Sequence, residues 1–246
     1  MKNSDMKKTI ILLLSIAAFG FYSCEIDNYE GPDATISGRI LDPDGNLLRT
    51  EPGSSNMRIR MDEISWANGD TSIAVIPRYL NVKIDGTYVN TKIFPATYVL
   101  TPVEGAFYPL EYGDTVVVGA KAVHDFVVTP YLDVNWVEEP YVTADSCVEA
   151  SFRFVRNGGP NGEFMPDVQD YRLCISSNQY VGNNNKYDDL VSGAVTVTNA
   201  QEAVTITAKS KRLKYFGTDV YVRIGVCCND NYKKYNYTTI VKLHVP

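Results

Sequence analysis

Residue types that could carry catalysis are present in this chain, but their arrangement does not favour it. Five carboxyl groups of the second half could serve as acids or bases: Glu138, Glu139, Glu149, Glu163 and Asp167. A glycosidase needs two such groups facing each other across a cleft, and the sequence has no long insertion that would build one. His124-Asp125 could imitate part of a triad, but no G-x-S-x-G motif supplies a nucleophile. Because His124 adjoins a strand-like run, we expect it to be structural and the protein not to be an enzyme.

The cysteines and histidines give no pattern typical of a metal site. Four cysteines lie in the second half and none forms a C-x-x-C pair: Cys147, Cys174, Cys227 and Cys228. The two histidines, His124 and His244, are far apart in sequence, so we expect neither a zinc site nor a cofactor. The sequence leaves any disulfide pairing among the four cysteines open.

Polar loops that contain aromatic residues are the candidate binding surfaces. Three lie in the second half: RNGGPNGEFMPD (156–167), SNQYVGNNNKYDD (177–189) and NDNYKKYNY (229–237). Sugars contact aromatic faces through C–H groups and amides through hydroxyls, and tyrosine offers a large amphipathic surface at low entropic cost. The alternative is that asparagine and glycine simply form turns here. Trp66, in SWANGD, is a further candidate for ligand contact, unless it covers the edge of a core.

The elements that position these loops are predicted to be β-strands. Almost everything after residue 33 alternates with period two, as in ATISGRIL, MRIRMD, CVEASFRF and VYVRIGV. DPDGN and Asp85-Gly86 are turn signals, and no stretch after the first residues shows a sustained helical period. The sequence therefore predicts an all-β fold of two consecutive antiparallel sandwiches, residues 34–130 and 131–246.

The start of the chain predicts export and lipidation. Three lysines precede the apolar run TIILLLSIAAFGF, which is too short to span a membrane and is typical of a secretory signal. Cys24 follows Ser23 where the run stops, which resembles a bacterial lipobox. We therefore expect a signal peptide at residues 1–23, a lipid on Cys24 and a tether at 24–33. The acidic residues that follow resemble the export signal of Bacteroidetes surface lipoproteins, which implies the outer face of the outer membrane.

Two longer resemblances concern the folded part. ISGRILDPDGNLL, KIDGTYVN and FPATYVLTPVEGAF resemble a carboxypeptidase regulatory-like, or transthyretin-like, sandwich. VYVRIGV with YTTIVKLHV is similar to a fibronectin type III or immunoglobulin-like sandwich. The order of these segments along the chain, from the lipobox-like start to the second sandwich, is similar to that of a family of two-domain Bacteroidetes surface lipoproteins associated with SusC/SusD-type importers. That resemblance implies an accessory role in uptake of a nutrient, often a glycan.

The fibronectin-like order also groups the candidate loops. It places the loops at 156–167 and 229–237 at one end of the second sandwich and the loop at 177–189 at the other end. We therefore predict one exposed patch, formed by Phe164, Asn231, Tyr232 and Tyr235.

The net charge of the chain limits the classes of molecule that it could bind. The net charge of −6 becomes −8 without residues 1–23, which hold three lysines and one aspartate, and an acidic chain argues against nucleic acid as a partner. The leading hypothesis is a non-enzymatic surface lipoprotein that binds a glycan or docks on a SusC/SusD-type importer. The alternative is a structural stalk or a fimbria-like adhesion protein.

Overall fold

The computed structural model describes residues 31–53, 56–66, 70, 72–190 and 193–246. The predicted signal peptide, Cys24 and most of the predicted tether lie outside these ranges. Residues Asp33–Pro246 form one compact unit. Within the described ranges, no helix is both long and apolar enough to cross a membrane.

The described residues confirm the predicted all-β class with antiparallel sandwiches. The N-terminal sandwich contains β1 (Ala34–Leu41), β2 (Arg58–Glu63), β3 (Arg78–Asn81), β4 (Thr87–Ile93), β5 (Ala96–Val103), β6 (Asp114–Val118), β7 (Lys121–Val123) and β8 (Phe126–Val127). One sheet has the order β4-β1-β7, with β8 also paired to β1, and the other has the order β3-β2-β5-β6. The pairings of β1 with β7 and β8 are parallel, which the sequence pattern did not indicate.

The C-terminal sandwich follows directly. It contains β9 (Leu132–Val142), β10 (Val148–Arg156), β11 (Val168–Ser176), β12 (Val195–Thr196), β13 (Ile206–Lys209), β14 (Thr218–Cys228), β15 (Tyr235–Tyr237) and β16 (Val241–Val245). A short 3-10 helix, Asn199–Gln201, precedes β13. One sheet has the order β13-β10-β9, and the other has the order β12-β11-β14-β15, with β16 also paired to β14.

Each sandwich buries its own hydrophobic cluster. Inward residues of the N-terminal cluster alternate along the strands, as at Ile36 and Ile40 of β1. In the C-terminal cluster, Phe152 and Phe154 of β10 are fully buried. β14 differs, because its residues from Val222 to Cys228 are buried on both faces of the sheet. A strand covered on both faces indicates that something packs over the outer side of this sheet.

The outer side of β14 and β15 faces the N-terminal sandwich. The side-chain amide of Asn236 donates to the carbonyl of Ala106 (2.9 Å) and accepts from the backbone N–H of Leu132 (3.2 Å). The rings of Tyr108 and Tyr131 meet edge to face, with centroids 4.8 Å apart. These contacts join the two sandwiches along a seam.

Candidate functional site

A groove of about 800 Å³ lies along the seam, within the usual size range of ligand sites. We call it the seam groove. Its first wall comes from the N-terminal sandwich, namely Pro52, Gly53 and residues 81–85. Its second wall comes from the C-terminal sandwich, namely Gln179, Tyr180, Tyr221, Ile240 and Lys242.

The first wall is built by the end of β3 and a tight turn. The backbone N–H of Lys83 donates to the carbonyl of Thr87 (2.8 Å), and Gly86 donates to the carbonyl of Lys83 (2.9 Å). Gly86 has a φ of +84°, which favours glycine. Asp85 accepts from the backbone and hydroxyl of Thr87 at 3.0 and 2.8 Å. The Asp85-Gly86 turn predicted from the sequence therefore shapes one wall of the seam groove.

The second wall presents Tyr180 on a loop that is stabilised by hydrogen bonds of asparagine side chains from the same loop. The side chain of Asn185 donates to the carbonyl of Tyr180 (2.8 Å) and to Asn178 Oδ1 (3.1 Å). Asn178 Oδ1 also accepts from the backbone N–H of Tyr180 (2.9 Å). These asparagines therefore form turns, as the alternative interpretation of the loop predicted, and they fix a tyrosine that is 52% exposed.

The chemistry of the seam groove suits a polar ligand with apolar faces. Tyr180 and Tyr221 provide ring surface, and Asn81 and Gln179 provide amides. Neither amide side chain bonds another described residue, so both are available to a ligand. Asp85 is the one carboxyl group among the described lining residues, whereas glycoside hydrolysis uses two. The described residues also contain no cluster of metal-ligating side chains.

A buried polar cluster holds the first wall against the second sandwich. Arg223 of β14 is fully buried, and its Nη1 donates to the carbonyl of Thr50 (2.8 Å). Its guanidinium lies 3.7 Å from the centroid of the Tyr237 ring. Burial lowers the pKa of Arg223. Because Thr50 is two residues from Pro52, this arginine fixes the position of the groove wall.

Glu51 completes the cluster from the N-terminal side. This buried side chain accepts at Oε2 from the hydroxyl of Tyr237 (3.0 Å) and from the backbone N–H of Asn184 (3.2 Å). The side chain of Asn184 also donates to the carbonyl of Pro52. Asn184, the middle residue of the NNN run, therefore attaches the loop to the N-terminal sandwich.

Gly182 permits this close approach. A Cβ atom at this position would lie 2.7 Å from Nη2 of Arg223 and 2.9 Å from the Cβ atom of Glu51. The backbone N–H groups of Gly182 and Asn185 each donate to the other residue's carbonyl, at 3.1 and 3.0 Å. A side chain at 182 would therefore push the loop away from the seam.

The predicted loop patch is only partly formed. Its two loops do lie at the same end of the C-terminal sandwich, since the N–H of Asn229 donates to the carbonyl of Asp167 (2.8 Å). Phe164 is 85% exposed, and Asn231 and Tyr232 are exposed as well. Among the described residues, however, no ring contact joins Phe164 to Tyr232.

The prediction for Tyr235 was wrong. Its side chain is buried, 6% exposed, because it starts β15 and points into the sheet. Its hydroxyl donates to Asp170 (2.7 Å) and accepts from Arg172 (2.8 Å), both on β11. Burial raises the pKa of Tyr235 above its ordinary value. Tyr235 is therefore a structural residue and belongs to no exposed patch.

Trp66 lies apart from both the seam groove and the predicted loop patch. It is 52% exposed and lines a separate cavity of about 300 Å³ with Ile76 and Tyr98 of the N-terminal sandwich. It is not among the residues that line the seam groove. The structure thus gives Trp66 an exposed ring but does not join it to the other candidate residues.

His124 and the cysteines have structural surroundings. The imidazole of His124 bonds Asp114 through Nε2 (2.9 Å) and packs edge to face on Phe126. Cys147, Cys174, Cys227 and Cys228 are all buried and free. Burial raises the pKa of the Cys174 and Cys228 thiols to about 12, which leaves them protonated at neutral pH.

Two residues that build this site, Tyr221 and Arg223, are not among the candidates predicted from the sequence. Both lie in VYVRIGVCC, which is an unbroken apolar run apart from one arginine. Such a run is typical of a strand covered on both faces, and a charge inside it calls for a buried partner. That pattern would have pointed to the seam.

Two family models match this chain. A model described as "Protein of unknown function (DUF3823) N-terminal domain" matches residues 34–129. A model described as "Domain of unknown function (DUF3823_C)" matches residues 138–242. The chain is thus matched over nearly all of its described part by the two halves of one family. No curated protein matches it.

Solved structures from Bacteroides and Parabacteroides share the fold. A DUF3823 family protein from Bacteroides uniformis is 23% identical, with a TM-score of 0.76, and the match covers 87% of this chain and 100% of that one. A second B. uniformis protein, named a "putative carbohydrate binding protein", is 26% identical, with a TM-score of 0.69 and the same coverage. A DUF3823 family protein from Parabacteroides merdae is 21% identical, with a TM-score of 0.61, also over 87% and 100%.

Proposed function

This chain belongs to the DUF3823 family, and from that premise we propose that it binds carbohydrate in the seam groove without catalysing a reaction. The observation that carries the proposal is the composition of the groove, in which the second wall holds two tyrosines and the unbonded amide of Gln179, and the first wall holds the unbonded amide of Asn81. The name of the similar B. uniformis protein agrees with this ligand class. Neither the descriptions of the two family models nor the names of these two B. uniformis structures indicate an enzyme.

The physical basis is the amphipathic character of sugars. A pyranose ring has C–H faces that pack on tyrosine rings and hydroxyls that bond amides and charged groups. Tyr180 and Tyr221 supply the first kind of contact, and Asn81 and Gln179 supply the second. Lys242, held by Asp219 at 2.7 Å, adds a fixed donor at the rim. Binding requires little rearrangement because the buried cluster of Arg223 and Glu51 already fixes the walls.

We place this activity at the cell surface. The lipobox-like sequence ending in Cys24 would attach the protein to the outer membrane, and the acidic residues after it would direct the protein to the outer face. In that position, the protein would present glycan to an importer of the SusC/SusD type. These steps follow from the first residues of the chain and from the resemblance given above.

The ligand class is tested by applying the detergent-solubilised full-length protein to an array of plant cell-wall and mucin-type glycans. We expect selective binding to at least one glycan class, with no release of shortened products on prolonged incubation. Absence of binding to every saccharide would overturn the proposal. Release of cleaved sugar would overturn its non-enzymatic part.

The importer association needs a separate experiment. The lipidated protein is pulled down from its native outer membrane, and the captured proteins are identified by mass spectrometry. Recovery of a SusC/SusD-type pair would support a role as an importer subunit. Recovery of the protein alone would remove that part of the proposal and leave a freestanding glycan binder.

A further inference from the structure

The outer face of β2 and β3 continues from the rim of the seam groove. Asn81, which lines the groove, is paired across the strands with Arg58. Tyr79 lies two residues before Asn81 on β3 and therefore on the same face, about 7 Å away along the strand. Arg58, Asn81 and Tyr79 thus form a contiguous polar and aromatic surface next to the groove.

This surface is rigid. Arg58 makes a two-point ion pair with Glu104, with Nε–Oε2 and Nη2–Oε1 distances of 2.8 and 2.5 Å. The hydrogen bonds that Arg58 donates to Glu104 raise the pKa of this arginine. The guanidinium lies 4.0 Å from the centroid of the Tyr79 ring and so orients that ring. Tyr79 remains 46% exposed, so it offers ring surface to a ligand.

We propose that the carbohydrate bound in the seam groove extends across Asn81 onto Tyr79, so that the ligand is an oligosaccharide chain of several units. This inference rests on the proposed function. The groove holds the first units against Tyr180 and Tyr221. Tyr79 forms a second aromatic subsite that only a longer chain reaches.

The test measures affinity against chain length. Size-fractionated oligosaccharides, from monosaccharide to octasaccharide, are prepared from the array glycan that binds best and titrated into the full-length protein. In the wild type, we expect affinity to rise with length beyond the units that fill the groove. In Tyr79→Ala, the longer oligosaccharides should bind about tenfold more weakly, while the shortest binding ones are unaffected.

Two further variants separate the possible failures. Tyr221→Ala should weaken binding at every length, and Tyr112→Ala, an exposed tyrosine outside the groove, should weaken none. If length has no effect, or if Tyr79→Ala binds long chains like the wild type, the second subsite is wrong while the groove site stands. If no saccharide of any length binds the wild type, both proposals are wrong.

Discussion

The guanidinium of Arg223 lies 3.7 Å from the centroid of the Tyr237 ring, with both side chains buried where the two sandwiches meet. Nε and Nη2 of this arginine have no hydrogen-bond partner among the described residues. Burying a cation whose hydrogen-bond donors lack partners lowers the stability of the fold. Here the guanidinium faces the Tyr237 ring and the carbonyl of Thr50, which offset part of this loss. The seam that shapes the groove therefore depends on a few exact contacts.

Replacing Tyr237 by phenylalanine tests one of these contacts. The change keeps the ring under Arg223 but removes the hydroxyl that donates to Glu51 and accepts from the N–H of Asn183 (3.2 Å). We expect the free energy of unfolding to fall by about 1–3 kcal/mol, because buried polar groups lose their partner. Urea unfolding measures this. Tyr180→Phe, at an exposed position, is the matched control, and equal stability of the two variants would contradict the described contact.

Adding a methyl group at Gly182 tests how closely the loop approaches the seam. Because the new Cβ atom would meet Arg223 and Glu51 at less than van der Waals distance, Gly182→Ala should lower the free energy of unfolding by about 1–3 kcal/mol. Gly119→Ala, where a Cβ atom would meet nothing within 4 Å, should be nearly neutral. A stable Gly182→Ala protein would show that the loop does not pack as described.

Alkaline pH should destabilise the fold. Burial raises the pKa of Cys174 and Cys228 to about 12, whereas an unfolded thiol titrates near about 8.5. Between these values the native state holds more protons than the unfolded state, so stability falls as pH rises above about 8.5. Urea unfolding at pH values below and above that point measures the loss. The double variant Cys174→Ala/Cys228→Ala should lose less on the same pH change, and an identical loss would contradict the role of these thiols.

Cys24 carries the predicted anchor. In the native host, Cys24→Ser should abolish incorporation of an alkyne-labelled fatty acid, because no thiol remains at the lipobox-like position. Cys147→Ser, a buried cysteine of the folded part, should still incorporate the label. Protease shaving of whole cells then tests surface display, which we expect for the wild type. Labelling of Cys24→Ser would show that the lipid is attached elsewhere.

The fold class was predictable because it depends on local patterns. Alternation along ATISGRIL buries Ile36 and Ile40, and the Asp85-Gly86 turn forms where the sequence indicates it. The parallel pairing of β1 with β7 was not predictable, because it joins segments more than 80 residues apart. Local periodicity carries no information about such a partner.

The site was less predictable, since it depends on contacts between distant segments. Tyr235 looked like a loop residue, but its hydroxyl bonds Asp170, which is 65 positions away. Tyr180 lies in a loop that the sequence did single out, yet its opposite wall comes from residues 52–53 and 81–85 of the other sandwich. Only the packing of the two sandwiches reveals that these segments share a groove.

The most direct test of the account is the dissociation constant of the best-binding glycan, measured by isothermal titration for three proteins. These are the wild type, the groove variant Tyr180→Ala/Tyr221→Ala and the surface control Tyr112→Ala. We predict that the groove variant binds at least about 100-fold more weakly, from the loss of two aromatic contacts, while the control equals the wild type. Equal affinity in all three folded proteins would place the binding site elsewhere and contradict the assignment of the seam groove.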